Sequence, residues 1–203
     1  MSVESLGVYF DNSMSVRRMV SETVKRCHYN LKRLHRLRYT LSVKHKILLV
    51  KSFILSRVDY CSVLLANASA LEIKRLQTVI NKSMRFVHLL KKRDSVSTYA
   101  KDAHILPMKY RVMYKTCLFV YNIINGDCPH YFNDMLQRKH PNEFNTRLNN
   151  DNLLFVQTTG NDTLQYGMIK NWNSLPYSIR CQASKDSFKT LLKTYYFNIA
   201  YVL

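Results

Sequence analysis

A chain of 203 residues, 47% of them hydrophobic and with only four Gly and four Pro, carries enough apolar material for one substantial core or two small ones, which excludes disorder over most of its length. Thirty-one Lys and Arg against 13 Asp and Glu give a net charge of +18, a balance that suits polyanions such as nucleic acid or an anionic membrane surface and says nothing of catalysis. The longest apolar run, 47–58, is cut by Lys51 and Arg57 and is too short to span a bilayer; Ser2 and Glu4 after Met1, in place of a basic and then apolar region, lead to the expectation of no signal peptide.

Leu6, Val8 and Phe10 alternate on one face of an opening strand, a period that needs a sheet to pair with, and no convincing partner strand is legible nearby. The expectation is that the chain starts inside a larger ancestral protein. From 15 to about 38 the period turns helical: Val20, Val24, Cys27, Leu31 and Leu34 form an apolar stripe. Arg18, Lys25, Arg26, Lys32, Arg33 and Arg36 fall on the opposite half, diluted among acids only by Glu22, which predicts a continuous basic face. Ser42 is an N-cap for a second helix through Val43, Ile47, Val50, Ile54 and Val58, and the extra Leu48, Leu49 and Leu55 predict burial on more than one side. Ser69 and Glu72 make a capping box for a third helix reaching about His88 through Leu76, Val79, Ile80, Met84 and Val87, with Lys74, Arg75, Lys82 and Arg85 exposed. Lys91-Lys92-Arg93-Asp94-Ser95 is a basic connector.

Pro107 opens and Gly126 closes an apolar, aromatic helix containing Val112, Met113, Tyr114, Leu118, Phe119 and Tyr121. Asn-rich residues 137–152, with Pro141, predict a surface loop and a soft boundary. A short strand over 153–156, a short helix over 166–174 and a final helix capped by Ser184, through Phe188, Leu191, Leu192 and Tyr195, follow.

Cys27, Cys61, Cys117, Cys128 and Cys181 are odd in number and lack a Cys-x-x-Cys spacing, so they read as reduced and mostly buried. The Asn67, Asn81 and Asn161 sequons read as chance matches in an intracellular chain. Cys27-His28, Cys128 with His130, and His140 do not assemble a zinc ligand set, and no Cys–His pair has a third group to orient it. Tyr9, Tyr29 and Tyr39 interleave with cations, a pattern that serves either base stacking or half-burial with a hydrated hydroxyl. Trp172-Asn173-Ser174-Leu175-Pro176 reads as a packing and turn element with a protein-contact role as the alternative.

Leu55-Ser56-Arg57-Val58-Asp59-Tyr60-Cys61, followed by Leu76-Gln77-Thr78-Val79-Ile80-Asn81-Lys82-Ser83-Met84-Arg85, resembles the region downstream of the polymerase core in jockey-like non-LTR (LINE) retrotransposon reverse transcriptases. Leu6 to Asp11 looks like the last palm strand, Leu106-Pro107-Met108-Lys109-Tyr110-Arg111 like the family's Leu-Pro-x-x-x-Arg helix start, and Val120 to Gly126 with Pro129 and Tyr131, Trp172 to Pro176 with Ile179-Arg180, and Ser187-Phe188-Lys189 with Leu191-Leu192-Lys193 like its closing segments. In that resemblance the basic helix sits where a thumb begins, and a thumb holds template-primer duplex through phosphate contacts. Polymerases of this class need paired metal-binding carboxylates, usually in Phe- or Tyr-x-Asp-Asp, and this chain has no such pair.

The expected fold is mainly α: a helical thumb-like bundle with a vestigial palm strand and a smaller α-rich carboxy-terminal region. It divides as 1–12 (palm strand), 13–96 (basic thumb-like region), 97–140 (helical extension) and 141–203 (carboxy-terminal helices). The expected function is non-catalytic gripping of RNA, DNA or their hybrid by Arg18, Lys25, Arg26, Lys32, Arg33, Arg36, Lys74, Arg75, Lys82 and Arg85. No cofactor or metal is expected, the missing palm is a further partner, and the compartment is cytoplasmic or nuclear. An inert transposon remnant and a helical protein-interaction adaptor are the alternatives.

Overall fold

The computed structural model describes residues 2–11, 15–136, 152–155 and 163–202. The protein is mainly α-helical, with one small two-stranded hairpin among the described residues, and it divides into two compact units, Met1–Arg111 and Val112–Leu203.

The first unit opens with β1 (Ser2–Ser5) paired antiparallel to β2 (Val8–Asp11), with Glu4 opposite Tyr9 and Ser5 opposite Val8. The opening strand therefore has its partner immediately before it, and Leu6 is not part of a strand. Leu6 and Gly7, with φ of 48° and 79°, form the two-residue turn whose twist suits a hairpin. The pairing was hidden because polar Ser2–Ser5 offers little strand patterning, and a Leu stands where Asn, Asp or Gly usually marks such a turn.

Three helical segments then run up, down and up. In α1 (Arg17–His35), Met19, Val20, Cys27, Leu31 and Leu34 are buried and Val24 is half-buried, so the apolar stripe packs as its spacing requires. α2 (Val43–Val50), a π-helical turn (Lys51–Leu55) and α3 (Ser56–Asp59) form one continuous rod, its start capped by the Ser42 hydroxyl accepting the His45 N–H. α4 (Ala70–His88) starts with the Ser69 hydroxyl accepting the Glu72 N–H, and Leu76, Val79, Ile80, Met84 and Val87 are all buried. Arg17 lies 3.9 Å from Glu72, and Arg75 donates to the Ser21 hydroxyl at 3.0 Å, so α1 and α4 lie side by side in the same direction. The rod runs the other way against α1: the Cys27 thiol faces the Ile54 carbonyl and Asn30 Nδ2 donates to the Phe53 carbonyl at 3.2 Å.

The rod departs from its expected pattern. Val43 and Leu48 are exposed, Ile47 and Leu49 are half-buried, and Lys46, 3% exposed, takes an inward position beside Val50, Ile54, Leu55 and Val58. A stripe repeating every four residues drifts around a 3.6-residue helix, and the wider π turn winds it back. The Lys46 ammonium lies 6.0 Å from the centre of the Phe86 ring, an electrostatic partner suited to a buried cation.

α5 (Ser97–Asp102), unanticipated from the sequence, leads to α6 (Met108–Ile124), within which the division between units falls. Pro107 precedes α6, and its carbonyl accepts the Arg111 N–H. At the other end Gly126 (φ 77°) donates to Ile123 and Asp127 donates to Asn122, the paired bonds of a Schellman cap that a glycine's left-handed backbone permits.

In the second unit α6 is followed by a 3₁₀ turn (His130–Met135), then α7 (Leu164–Asn173), α8 (Tyr177–Arg180) and α9 (Lys185–Tyr201). Phe188 stacks on Tyr121 at 4.2 Å and lies 5.9 Å from Trp172. The Trp172 indole N–H donates to the Asn152 carbonyl at 2.9 Å, and the Asn173 side-chain amide pairs with both backbone groups of Leu154 at 2.9 and 3.0 Å, as a neighbouring strand would. That accounts for Trp172-Asn173 as a packing element. Ser184 stands at the N-cap of α9 without a side-chain capping bond, and Leu191 is exposed because the buried line is Phe188, Leu192 and Tyr196. The loop expected over 137–152 lies outside the described residues except for Asn152, as do Val156 of the expected strand, His140, Pro141 and Asn161.

The five cysteines are free, and the expectation that most are buried fails: only Cys27 and Cys117 are, Cys61 and Cys128 are half-buried, and Cys181 is exposed. Burial pushes the Cys27 thiol up to about 11 and the Cys117 thiol up to about 12, which keeps both protonated and unreactive. Among the described residues no helix is long and apolar enough to cross a membrane.

Candidate nucleic-acid interface

Amphipathic periodicity places the α1 cations Arg18, Lys25, Arg26, Lys32 and Arg33, with Arg36 at the helix C-cap, on solvent-exposed positions. Packing then divides them. At the amino-terminal end, Lys25 is paired with Glu22 at 2.7 Å, and Arg26 lies 3.7 Å from Glu4 while donating to the Tyr9 hydroxyl at 2.9 Å. Arg18 and Arg26 both approach the Tyr9 ring, at 5.6 and 5.7 Å from its centre. The basic face is therefore not continuous: Glu22 and the hairpin's Glu4 neutralise part of it. On α4, Arg75 is half-buried and bonded to Ser21, while Lys74 stays exposed.

At the other end the cations converge. Lys32 and Arg36 face Lys82 and Arg85 across a groove of about 530 Å³ between α1 and α4, with Leu31, Phe86 and Leu90 as apolar lining and His28 and His35 at its sides. Among the described residues no carboxylate pairs with any of these four cations. Arg85 is held by one bond from Nη2 to the Asp94 carbonyl, at 3.3 Å, while its Nε is buried without an acceptor. Both helices end here, and cations in a last turn are favoured by the partial negative charge of the helix terminus, by about 0.3–1 kcal/mol each. That term accounts for cations near helix ends but not for their convergence on one groove.

Burial and the neighbouring Lys82 hold the His28 imidazole below the usual histidine range. Arg38 Nη1 lies 2.7 Å from His35 Nε2, and because a guanidinium can only donate, Nε2 must accept. Tyr29 and Tyr39 are exposed, each with an arginine over its ring, Arg33 at 5.8 Å and Arg38 at 4.5 Å. These two rings are accessible; Tyr9 is half-buried between its two arginines. The chain matches no protein-family model, no curated protein and no solved structure.

The charge distribution reinforces the location. Residues 1–111 hold 22 Lys and Arg against seven Asp and Glu, net +15, while residues 112–203 hold nine against six, net +3. His28, His35 and Phe86 were missed as groove residues because each falls between the apolar stripe and the basic face. His28, Lys32 and His35, spaced by four and three, carry the helical repeat that marks one face of a groove.

Proposed function

We propose that this protein binds nucleic acid without sequence preference through the groove between α1 and α4, and that it is the non-catalytic, template-primer-gripping part of a jockey-like non-LTR reverse transcriptase. The observation that carries the reading is the convergence of Lys32, Arg36, Lys82 and Arg85 on one groove with no carboxylate paired to them among the described residues. Unpaired cations facing a concave surface hold phosphates by counterion release, a term indifferent to base sequence. Tyr29 and Tyr39, exposed beside arginines, offer stacking faces for bases at a single-stranded junction. Chemistry is not part of the proposal, since the chain has no adjacent Asp-Asp pair to hold two metal ions.

The test is fluorescence anisotropy with RNA–DNA hybrid and with duplexes of unrelated sequence across a range of NaCl. Changing Lys32, Arg36, Lys82 and Arg85 to Gln together should weaken binding to all of them alike and flatten the salt dependence by about 0.9 in logarithmic slope per phosphate contact removed from B-form duplex. Changing Arg18, Lys25 and Arg26 to Gln, which are already engaged by Tyr9, Glu22 and Glu4, should do less. Unchanged affinity in the groove variant removes the groove from the binding surface.

A further inference from the structure

Arg180 is 8% exposed, and its Nε and Nη1 lie out of reach of solvent with no hydrogen-bond acceptor among the described residues. A guanidinium is never neutral in a protein, so its burial without a counter-charge is costly, and such cations are found paired. Among the described residues no carboxylate pairs with it: the second unit's described ion pairs join Lys185 to Asp127 and Lys189 to Asp186. Arg180 instead lines a cavity of about 200 Å³ within the second unit, together with Tyr121, Asn125, Asn152, Leu154 and Trp172.

The walls of that cavity are fixed. Tyr121 donates from its hydroxyl to the carbonyls of Gln182 and Ala183 at 3.0 Å, Trp172 donates to Asn152, and Asn125 donates to the Tyr121 carbonyl at 2.8 Å. Those donors are thus engaged, while Nε and Nη1 of the arginine have no acceptor among the described residues. α8 is a single turn that begins after Pro176, and both Ile179 and Arg180 on it are buried.

We propose that this cavity is a binding site for a small oxyanion, a carboxylate or phosphate group, with Arg180 as its counter-charge. The positive charge is delocalised over the whole guanidinium, so an oxyanion in the cavity offsets the burial cost of the group even where it does not touch Nε or Nη1.

Trp172, the chain's single tryptophan and itself in the cavity wall, makes the test direct. The full chain is titrated with sodium phosphate and, separately, with sodium acetate, each against NaCl at constant ionic strength, reading Trp172 emission and the thermal midpoint. A saturable emission change with a raised midpoint is expected for at least one anion, and which one responds tells phosphate from carboxylate. In Arg180→Met the response should vanish while the thermal midpoint in NaCl alone stays equal or rises, because an unpaired buried charge has been replaced by an apolar chain of similar length. Arg180→Lys should respond with affinity at least about tenfold weaker. The groove variant with Lys32, Arg36, Lys82 and Arg85 changed to Gln should respond like the unaltered chain, which separates this site from the nucleic-acid surface. An identical response in Arg180→Met, no saturable response to either anion, or collapse of Arg180→Met in NaCl overturns the proposal, the last because it would mean that Arg180 already has a structural partner.

Discussion

Asp59 and Arg111 belong to two stretches far apart in the sequence, Leu55 to Cys61 and Leu106 to Arg111, yet they meet in a two-pronged ion pair: Arg111 Nε donates to Asp59 Oδ1 and Nη2 to Oδ2, the latter at 2.7 Å. Both side chains are mostly buried, at 17% and 22% exposure, where removal of either partner leaves a poorly solvated charge. Asp59→Ala and Arg111→Ala should each cost about 2 kcal/mol, and the double variant should cost less than their sum by about 1 kcal/mol, measured by urea unfolding in a double-mutant cycle. Strict additivity would mean that the pair contributes no coupling. Arg57 and Asp59 both lie near the end of the rod, and charge alone does not say which of them pairs with another element. Arg57 is exposed, whereas Asp59 is half-buried and bonded to Arg111.

At the scale of elements, the legible parts were those with one period and a side-chain cap. α4 is the clearest case: Ser69 marks its start and five apolar residues at helical spacing form its buried face, so local and tertiary preferences agree. The rod over Val43–Asp59 was legible as a helix but not in its facing, because the π turn changes the period part-way along. The buried residues Lys46, Val50, Ile54, Leu55 and Val58 would fall at the regular helical offsets of four, seven, eight and eleven if one residue between Val50 and Ile54 were removed. Phe53 is exposed, and its carbonyl accepts from Asn30 on α1. Deleting Phe53 should therefore convert the rod to regular α-helix with both flanks in place, at a cost below about 2 kcal/mol, chiefly the Asn30 hydrogen bond and the exposed ring's contacts. Deleting exposed Thr78 from regular α4 should instead rotate Val79, Ile80, Met84 and Val87 by about 100° and abolish cooperative unfolding. Circular dichroism with urea titration distinguishes them; equal damage from both deletions would show that the π turn is not a one-residue accommodation.

Across the whole molecule, the charge asymmetry between the units has a consequence for stability as well as for binding. The first unit carries net +15 and the second net +3. Like charges held on one compact body repel each other more than in an expanded chain, so the first unit is destabilised by its own field while the second is nearly free of that burden. At about 0.01 M salt the screening length is about 30 Å, long enough for cations throughout a unit to act on one another; at about 0.1 M it shrinks to about 10 Å and only near neighbours count. Raising NaCl across that range should slow amide hydrogen exchange in α1, α2 and α4 and leave α7 and α9 nearly unchanged. Mass spectrometry of peptides from 17–111 and from 163–202 reads the two responses separately. The groove substitutions Lys32, Arg36, Lys82 and Arg85 to Gln should reduce the salt effect in the first unit, because they remove four charges clustered around one groove. A uniform response in both sets of peptides would mean that salt acts through general solvation and not through this field, and a response unaffected by the substitutions would place the repulsion elsewhere on the first unit.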